Sequence, residues 1–177
     1  MSKPCIPEPV VFFLAITGKD QSLWEVALKE VALHLGNVVF SSKVYDFSSF
    51  TSYYEKEMGK NLKKALFFFE KLMPPEFLID LKHICYEIEN RFKVNDCRRI
   101  NIDPGYLNLS KLVLSTFKDF SHRIYLGRSV FAEVTLRFKK GKFEPLEWTY
   151  PDYSQPEILE FLQKVRLWYK ERLRGAN

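Results

Sequence analysis

The chain has 177 residues, 46% apolar and 28% charged, with 16 Phe and 9 Tyr against only 7 Gly. That balance is too apolar for a disordered chain and too charged for a membrane bundle, and a chain of this length buries a core without staples. The net charge of +5 is concentrated at two places: Lys164, Arg166, Lys170, Arg172 and Arg174 oppose Glu171, and Arg137, Lys139, Lys140 and Lys142 stand together without an acid. Such runs fit the end of a helix and the tip of a hairpin better than a nucleic-acid surface, because neither interleaves aromatics.

The first nine residues carry Pro4, Pro7 and Pro9 and predict an extended tail, unlike a signal peptide. A single α+β domain is expected over 10–177, with a subdivision near 103–106 as the alternative. Val10 to Thr17 is a continuous β-branched and aromatic run, expected as a buried strand. Its apolar stretch is far too short for a bilayer, which takes ~20 residues. Ser22 and Glu25 make a capping-box pair before Trp24, Ala27, Leu28, Val31 and Leu35 at helical spacing, and Gly36 is the stop. Residues 38–47 predict a second strand, 48–60 a long connection, and 62–72 a third strand. Pro74-Pro75 opens a helix whose apolar face is Phe77, Leu81, Ile84 and Ile88. Residues 99–103 predict a short fourth strand.

That order, strand–helix–strand–strand–helix–strand, is the ferredoxin-like βαββαβ pattern, and predicts a mostly antiparallel sheet. The second half is expected to be rich in β-hairpins. Asp103-Pro104-Gly105-Tyr106 has the type II turn signature. Residues 109–117 suit either a short helix or a strand, and 122–126 a strand. Val130 to Lys139 alternates, with Val130, Ala132, Val134, Leu136 and Phe138 on one face and Phe131, Glu133, Thr135, Arg137 and Lys139 on the other. Lys140-Gly141 turns the chain into 143–149. Ser154 and Glu157 form a second capping box, opening a C-terminal helix with Ile158, Phe161, Leu162, Val165, Trp168 and Tyr169 on one face.

Several chemistries lack their residues. Gly18-Lys19 is not a P-loop: Phe13 stands where the first Gly belongs, and Asp20 where the magnesium hydroxyl belongs. Cys5, Cys85 and Cys97 are an odd set without C-x-x-C spacing, so neither a zinc site nor a disulfide framework is expected; reduced thiols fit a cytoplasmic protein. His34, His83 and His122 lie far apart. No metal and no cofactor is therefore predicted.

Polar residues suited to chemistry gather between 103 and 135: Asp103, Tyr106, Lys111, Lys118, His122, Arg123 and Glu133. If the strands at 122–126 and 130–138 pair, Glu133 meets His122 or Arg123 across the ladder. A carboxylate beside His makes an acid–base pair, which gives His122, Glu133 and Asp103 as catalytic candidates. Lys111, Lys118, Arg123 and Tyr106 are the ligand-binding candidates, because Arg and Lys donors suit phosphate or carboxylate. The plain alternative is a solvated sheet face with cross-strand ion pairs, each worth ~0.2–1 kcal/mol.

Asp103-Pro104-Gly105-Tyr106-Leu107, Lys118-Asp119, His122 to Gly127, Ala132 to Leu136, Gly141 to Pro145 and Trp148 to Tyr153 resemble the prokaryotic family called domain of unknown function 4416. The resemblance covers most of the chain and is strongest from residue 100 onward. It implies that Asp103, Gly105, Lys111, Lys118, His122, Arg123, Glu133 and Asp152 characterise the family, and it adds Asp152 to the ligand-binding candidates. Some members carry a GTP-binding label, for which this chain has no P-loop.

Three functions follow as expectations. The first is binding or processing of a small anionic ligand, of phosphate or nucleotide type, at the Lys/His/Arg/Glu cluster. The second is an RNA-binding module on a ferredoxin-like sheet. The third is a protein-interaction or assembly role using Tyr53, Tyr54, Trp148, Tyr150 and Tyr153.

Overall fold

Val10–Gly18 forms β1, and every residue of it is buried. Its place in the molecule explains this. In the computed structural model, which describes residues 3–175, β1 pairs antiparallel with a strand on each side and is covered on both faces. Val10, Phe12, Leu14 and Ile16 enter one core cluster, and Val11, Phe13 and Ala15 enter a second on the opposite face. A run that alternates between two cores has no polar side, so it reads as continuous apolar sequence.

Gln21–Leu35 is α1, and it packs Trp24, Ala27, Val31 and Leu35 against the first core. Its cap is Asp20, not the Ser22 of the expected capping box: the Asp20 carboxylate accepts the Ser22 N–H at 3.0 Å. Gly36, at φ 75°, ends it and donates to the Ala32 carbonyl at 2.9 Å. The strand expected over 38–47 is broken into β2 (Val38–Ser41) and β3 (Tyr45–Asp46), both paired with β4 (Lys63–Met73). Between β3 and β4 the chain makes one helical turn, α2 (Glu55–Met58), over a small cluster of Phe47, Met58 and Leu62. The second long helix, α3 (Phe77–Arg91), shares the first core with α1.

The strand that follows, β5 (Ile100–Leu107), overturns the turn expected at 103–106. It runs straight through Asp103-Pro104-Gly105-Tyr106 and pairs with β1 along its whole length. Pro and Gly have strand roles here: Pro removes one ladder donor, and Gly permits close backbone approach. Residues 109–117 resolve as a strand, β6 (Lys111–Thr116). β7 (Ile124–Gly127) and β8 (Val130–Lys139) form a hairpin, and β9 (Lys142–Pro145) returns along β8 through Lys140-Gly141, both at positive φ. The simple alternation expected along β8 fails at its middle. The register with β6 shifts so that Leu112 faces Leu136 while Val113 faces Val134. Thr135 is the extra residue of this bulge, so Ala132 packs towards the first core whereas Leu136 and Phe138 join the second.

The chain closes with a 3-10 turn at Pro151–Ser154 and with α4 (Pro156–Gly175). α4 lays Ile158, Leu162, Val165 and Tyr169 on the second core. The spatial order is β2-β4-β1-β5-β6-β8-β7, with β3 beside β4 and β9 beside β8. The protein is thus α+β, with an antiparallel sheet, a strand-rich second half and a C-terminal helix. Among the described residues, no helix is long and apolar enough to cross a membrane.

Candidate functional site

Residues opposite one another in an antiparallel ladder share a face. On the α4 side of the sheet, Lys64 stands opposite Thr17, which stands opposite Asn101; one step further in are Leu66, Ala15 and Asp103. Beyond them Gly105 faces Leu114, and Leu114 faces Glu133. α4 covers only part of this face. The rest bounds a cavity of about 640 Å3, roofed by the segment around Phe50 to Tyr54 and the turn at Tyr150 to Tyr153.

The cavity exists because β5 and β6 part company. They pair only at Gly105, Tyr106 and Leu107. Pro104 has no N–H to offer, and its carbonyl accepts the Ser115 hydroxyl at 2.8 Å. Below it the free edge of β5 is satisfied by α3. Glu89 accepts the Ile102 N–H, and the Lys82 ammonium lies 3.5 Å from the Ile102 carbonyl and 3.3 Å from the Asp103 carboxylate. A helix that mainly covers one face of the sheet thereby sends two charged groups into the gap.

The wall is dense in ionisable groups. Lys64 and Asp152 are both buried and paired at 2.6 Å; Asp152 also accepts from the Tyr45 hydroxyl at 2.9 Å. Arg98 grips Glu57 with two nitrogens, each at 2.7 Å, and reaches Asn101, which in turn donates to Asp103 at 2.7 Å. Burial alone would raise the Asp103 carboxyl, but the Lys82 and Lys64 ammoniums and the Asn101 amide outweigh it and hold it below the ordinary aspartate value. Glu89 goes the other way: burial pushes it up to about 7, against the pull of Lys82. For Lys82, burial favours the neutral amine, yet Asp103 and Glu89 keep its pKa above the ordinary lysine value.

On the far wall, Glu133 is buried and its Oε2 accepts from His122 Nε2 at 3.0 Å and Arg123 Nε at 2.9 Å. Arg123 continues to the Tyr150 hydroxyl at 3.1 Å and the Lys118 carbonyl at 3.0 Å. The His122 ring stacks on Trp148, with centroids 5.0 Å apart and planes 11° from parallel. His122 and Arg123 precede β7 rather than lie in it, so they reach Glu133 from the turn and not across a ladder. Lys118 donates to the Tyr53 hydroxyl at 2.6 Å, which draws the Tyr53 pKa down.

Of the residues the sequence singles out, Asp103, Lys118, Arg123, Glu133 and Asp152 line this one cavity. His122 stands behind Glu133, outside the lining. Lys111 and Tyr106 border a second hollow, of about 370 Å3, at the opposite end of β5 and β6. Among the aromatics, Tyr153 is buried, whereas Tyr53, Trp148 and Tyr150 are exposed in part. Sequence reasoning passed over Lys64, Lys82, Glu89, Arg98 and Asn101. A signal existed for three of them. Lys82 and Glu89 are seven apart on α3, in line with the buried Leu78 and Cys85, and Lys64 has the strand parity of buried Leu66 and Phe68. Among the described residues, no group of three or more His, Cys, Asp or Glu is placed to hold a metal ion.

Fold and site together define an α+β protein whose sheet is split at one end to form a charged, aromatic cavity. The chain belongs to the family described as Domain of unknown function (DUF4416), whose model matches residues 8–169, nearly the whole length. No curated protein and no solved structure matches it.

Proposed function

We propose that this protein binds a small anionic ligand, of phosphate or nucleotide type, in the cavity at the split between β5 and β6. The observation that carries the reading is the charge balance of the wall. Six cationic side chains (Lys64, Lys82, Lys93, Arg98, Lys118 and Arg123) face four carboxylates, Glu89, Asp103, Glu133 and Asp152. Lys93 and Lys118, exposed and without an ion pair among the described residues, make the mouth of the cavity attractive to an anion, whereas Lys64, Lys82, Arg98 and Arg123 are each held by a carboxylate. Aromatic rings of Phe47, Tyr54, Tyr86 and Phe117 supply flat apolar wall beside the cations, which suits a ligand with a planar body.

His122, Glu133 and Arg123 supply an imidazole and a carboxylate in contact, so processing of a bound ligand by proton transfer is part of the same reading. The setting proposed is a prokaryotic cytoplasm, in keeping with the cysteines Cys5, Cys85 and Cys97, all free thiols. Strands β1, β2, β4 and β5 with α1 and α3 are read as a ferredoxin-like unit. An RNA platform on that unit is disfavoured, because helices cover both faces at its centre.

Thermal-shift measurements against nucleotides and phosphorylated metabolites test the proposal. A true ligand at 100 times its dissociation constant stabilises the fold by about 2.7 kcal/mol. Lys118→Ala and Arg123→Ala are expected to abolish the shift. A panel that leaves the melting temperature unmoved overturns the reading.

A further inference from the structure

The basic run at 137–142 falls on a two-stranded ribbon, β8–β9, whose turn is Lys140-Gly141. Lys111 stands opposite Arg137, and Arg137 opposite Glu144; one row nearer the turn, Lys139 stands opposite Lys142. Ladder partners, and residues two apart on one strand, share a face. The adjoining row, Leu112 and Leu136, enters the second core, so the charged rows lie on the side of the sheet turned away from α4. Arg137 is held by Glu144 at 3.2 Å. Among the described residues, no carboxylate pairs with Lys111, Lys139, Lys140 or Lys142, and the last three are exposed.

The ribbon departs twice from local preference, each time keeping a cation. Like charges directly opposite across a ladder are destabilising, yet Lys139 meets Lys142. A two-residue turn with both central φ angles positive favours Asn, Asp or Gly at its first position, yet Lys140 holds that place at φ 50°. Such departures are expected at functional sites, and an anion laid along the ribbon removes the repulsion. The tip is also anchored. Gln163 of α4 donates to the Gly141 carbonyl at 3.4 Å, and the Arg166 guanidinium lies 3.5 Å from the Phe138 ring centroid. The second basic run of the sequence thus begins beside the turn of the first. Taken singly, each run suits a helix end or a hairpin tip; the fold sets them side by side.

We infer that the β8–β9 ribbon is a docking surface for the phosphate backbone of duplex DNA, separate from the cavity. The major groove of B-form DNA admits a two-stranded ribbon, whereas that of A-form RNA is deep and narrow. A lipid surface fits less well, because interfacial binding buries apolar side chains, and β8 and β9 expose no large one. Lysine contacts to phosphate carry no sequence information, so the binding is independent of sequence.

Fluorescence anisotropy of a labelled mixed-sequence DNA duplex, titrated with the protein at rising salt, tests this. Four unpaired cations predict a slope of log affinity against log salt of about −3 to −4, which is about a hundredfold loss between about 50 and 200 mM salt. Lys139→Gln combined with Lys142→Gln is expected to halve the slope and to weaken binding at the lowest salt by at least about tenfold. Lys140→Asn gives the turn a preferred residue, so it is expected to raise the melting temperature while making the slope shallower by about 1. Removing a charge elsewhere, by Lys29→Gln on the exposed side of α1, is expected to leave the slope unchanged. Absence of binding at the lowest salt overturns the inference, as does a slope that the ribbon variants leave unmoved. Equal or tighter binding to duplex RNA, to a polyglutamate chain or to phosphatidylserine vesicles also overturns it. None of these outcomes bears on the cavity, whose ligand panel is read separately.

Discussion

Gly105 shows how one residue fixes the site. A Cβ built on it would fall inside the van der Waals envelope of the Val113 carbonyl oxygen and 2.6 Å from the Phe13 ring. Its φ lies outside the left-handed region, so the demand is for space and not for an unusual backbone angle. Without a side chain there, β6 and the Phe13 ring both close on β5, and the split begins one residue earlier, at Pro104, where the ladder loses its donor. Gly105→Ala therefore forces either the β5–β6 pairing or the Phe13–Phe68 stack, at 4.9 Å, to give way. Overpacking of this kind costs ~1–3 kcal/mol. The expected result is a lower urea midpoint with an unchanged m-value; a variant as stable as the parent would show that the backbones have room to separate.

At the scale of elements, α3 has two tasks that its sequence mixes. Leu78, Leu81, Cys85 and Ile88 hold it to the first core, and Lys82 and Glu89 satisfy the open edge of β5. The second task gives stability a pH dependence. Glu89 titrates at about 7 in the fold, against 4.5 for an ordinary glutamate. The fold thus binds this proton more tightly than the unfolded chain does. Stability falls as pH rises between 4.5 and about 7, and the full penalty stands above that window. Glu89→Gln keeps a carbonyl to accept the Ile102 N–H and removes the charge. Its stability is expected to match the parent's when both are in acid below that window, and to exceed it at pH 8 by up to ~3 kcal/mol. Denaturation curves at the two pH values check this; a gap of equal size at both would mean that Glu89 has the same pKa in the folded and unfolded chain. The same helix explains what sequence could and could not reveal. β1, α1 and α4, and β8 up to its bulge at Thr135, follow from periodicity, because one or two apolar faces write themselves into the spacing. Lys82 and Glu89 interrupt that spacing and look like solvated residues, since nothing local says that β5 and β6 separate. Asp103-Pro104-Gly105 is the sharper case. Its Pro104-Gly105 pair is read as a turn by local preference, yet pairing with β1 on the other edge keeps it extended. Asp103, Lys118, Arg123 and Glu133 were legible as a group by residue type, and Asp152 through the family resemblance. Their cavity was not, because three of its walls come from residues 47–64, 82–101 and 150–153, distant in the chain.

For the whole molecule, the question is whether two cores make one cooperative unit. The first core joins α1 and α3 to the sheet, and the second joins α4. They share no buried residue, but β1, β4, β5 and β6 each send side chains to both, β1 in strict alternation. Loosening one face frees the backbone that the other needs, so both are expected to melt together. Leu81 and Leu162 are fully buried on opposite faces. Each truncated to Ala is expected to cost ~2–5 kcal/mol. Their effects should add to within ~0.5 kcal/mol, as for sites with no common neighbour. Trp24 reports on the first face and Trp168 on the second, so variants keeping one or the other tryptophan give separate views of a single transition. Coincident midpoints, both displaced equally by Leu162→Ala, are the expected result. If Leu162→Ala moved the Trp168 midpoint and left that of Trp24 in place, α4 would be an independent cover over the site's face of the sheet, and the cavity could open without unfolding the rest.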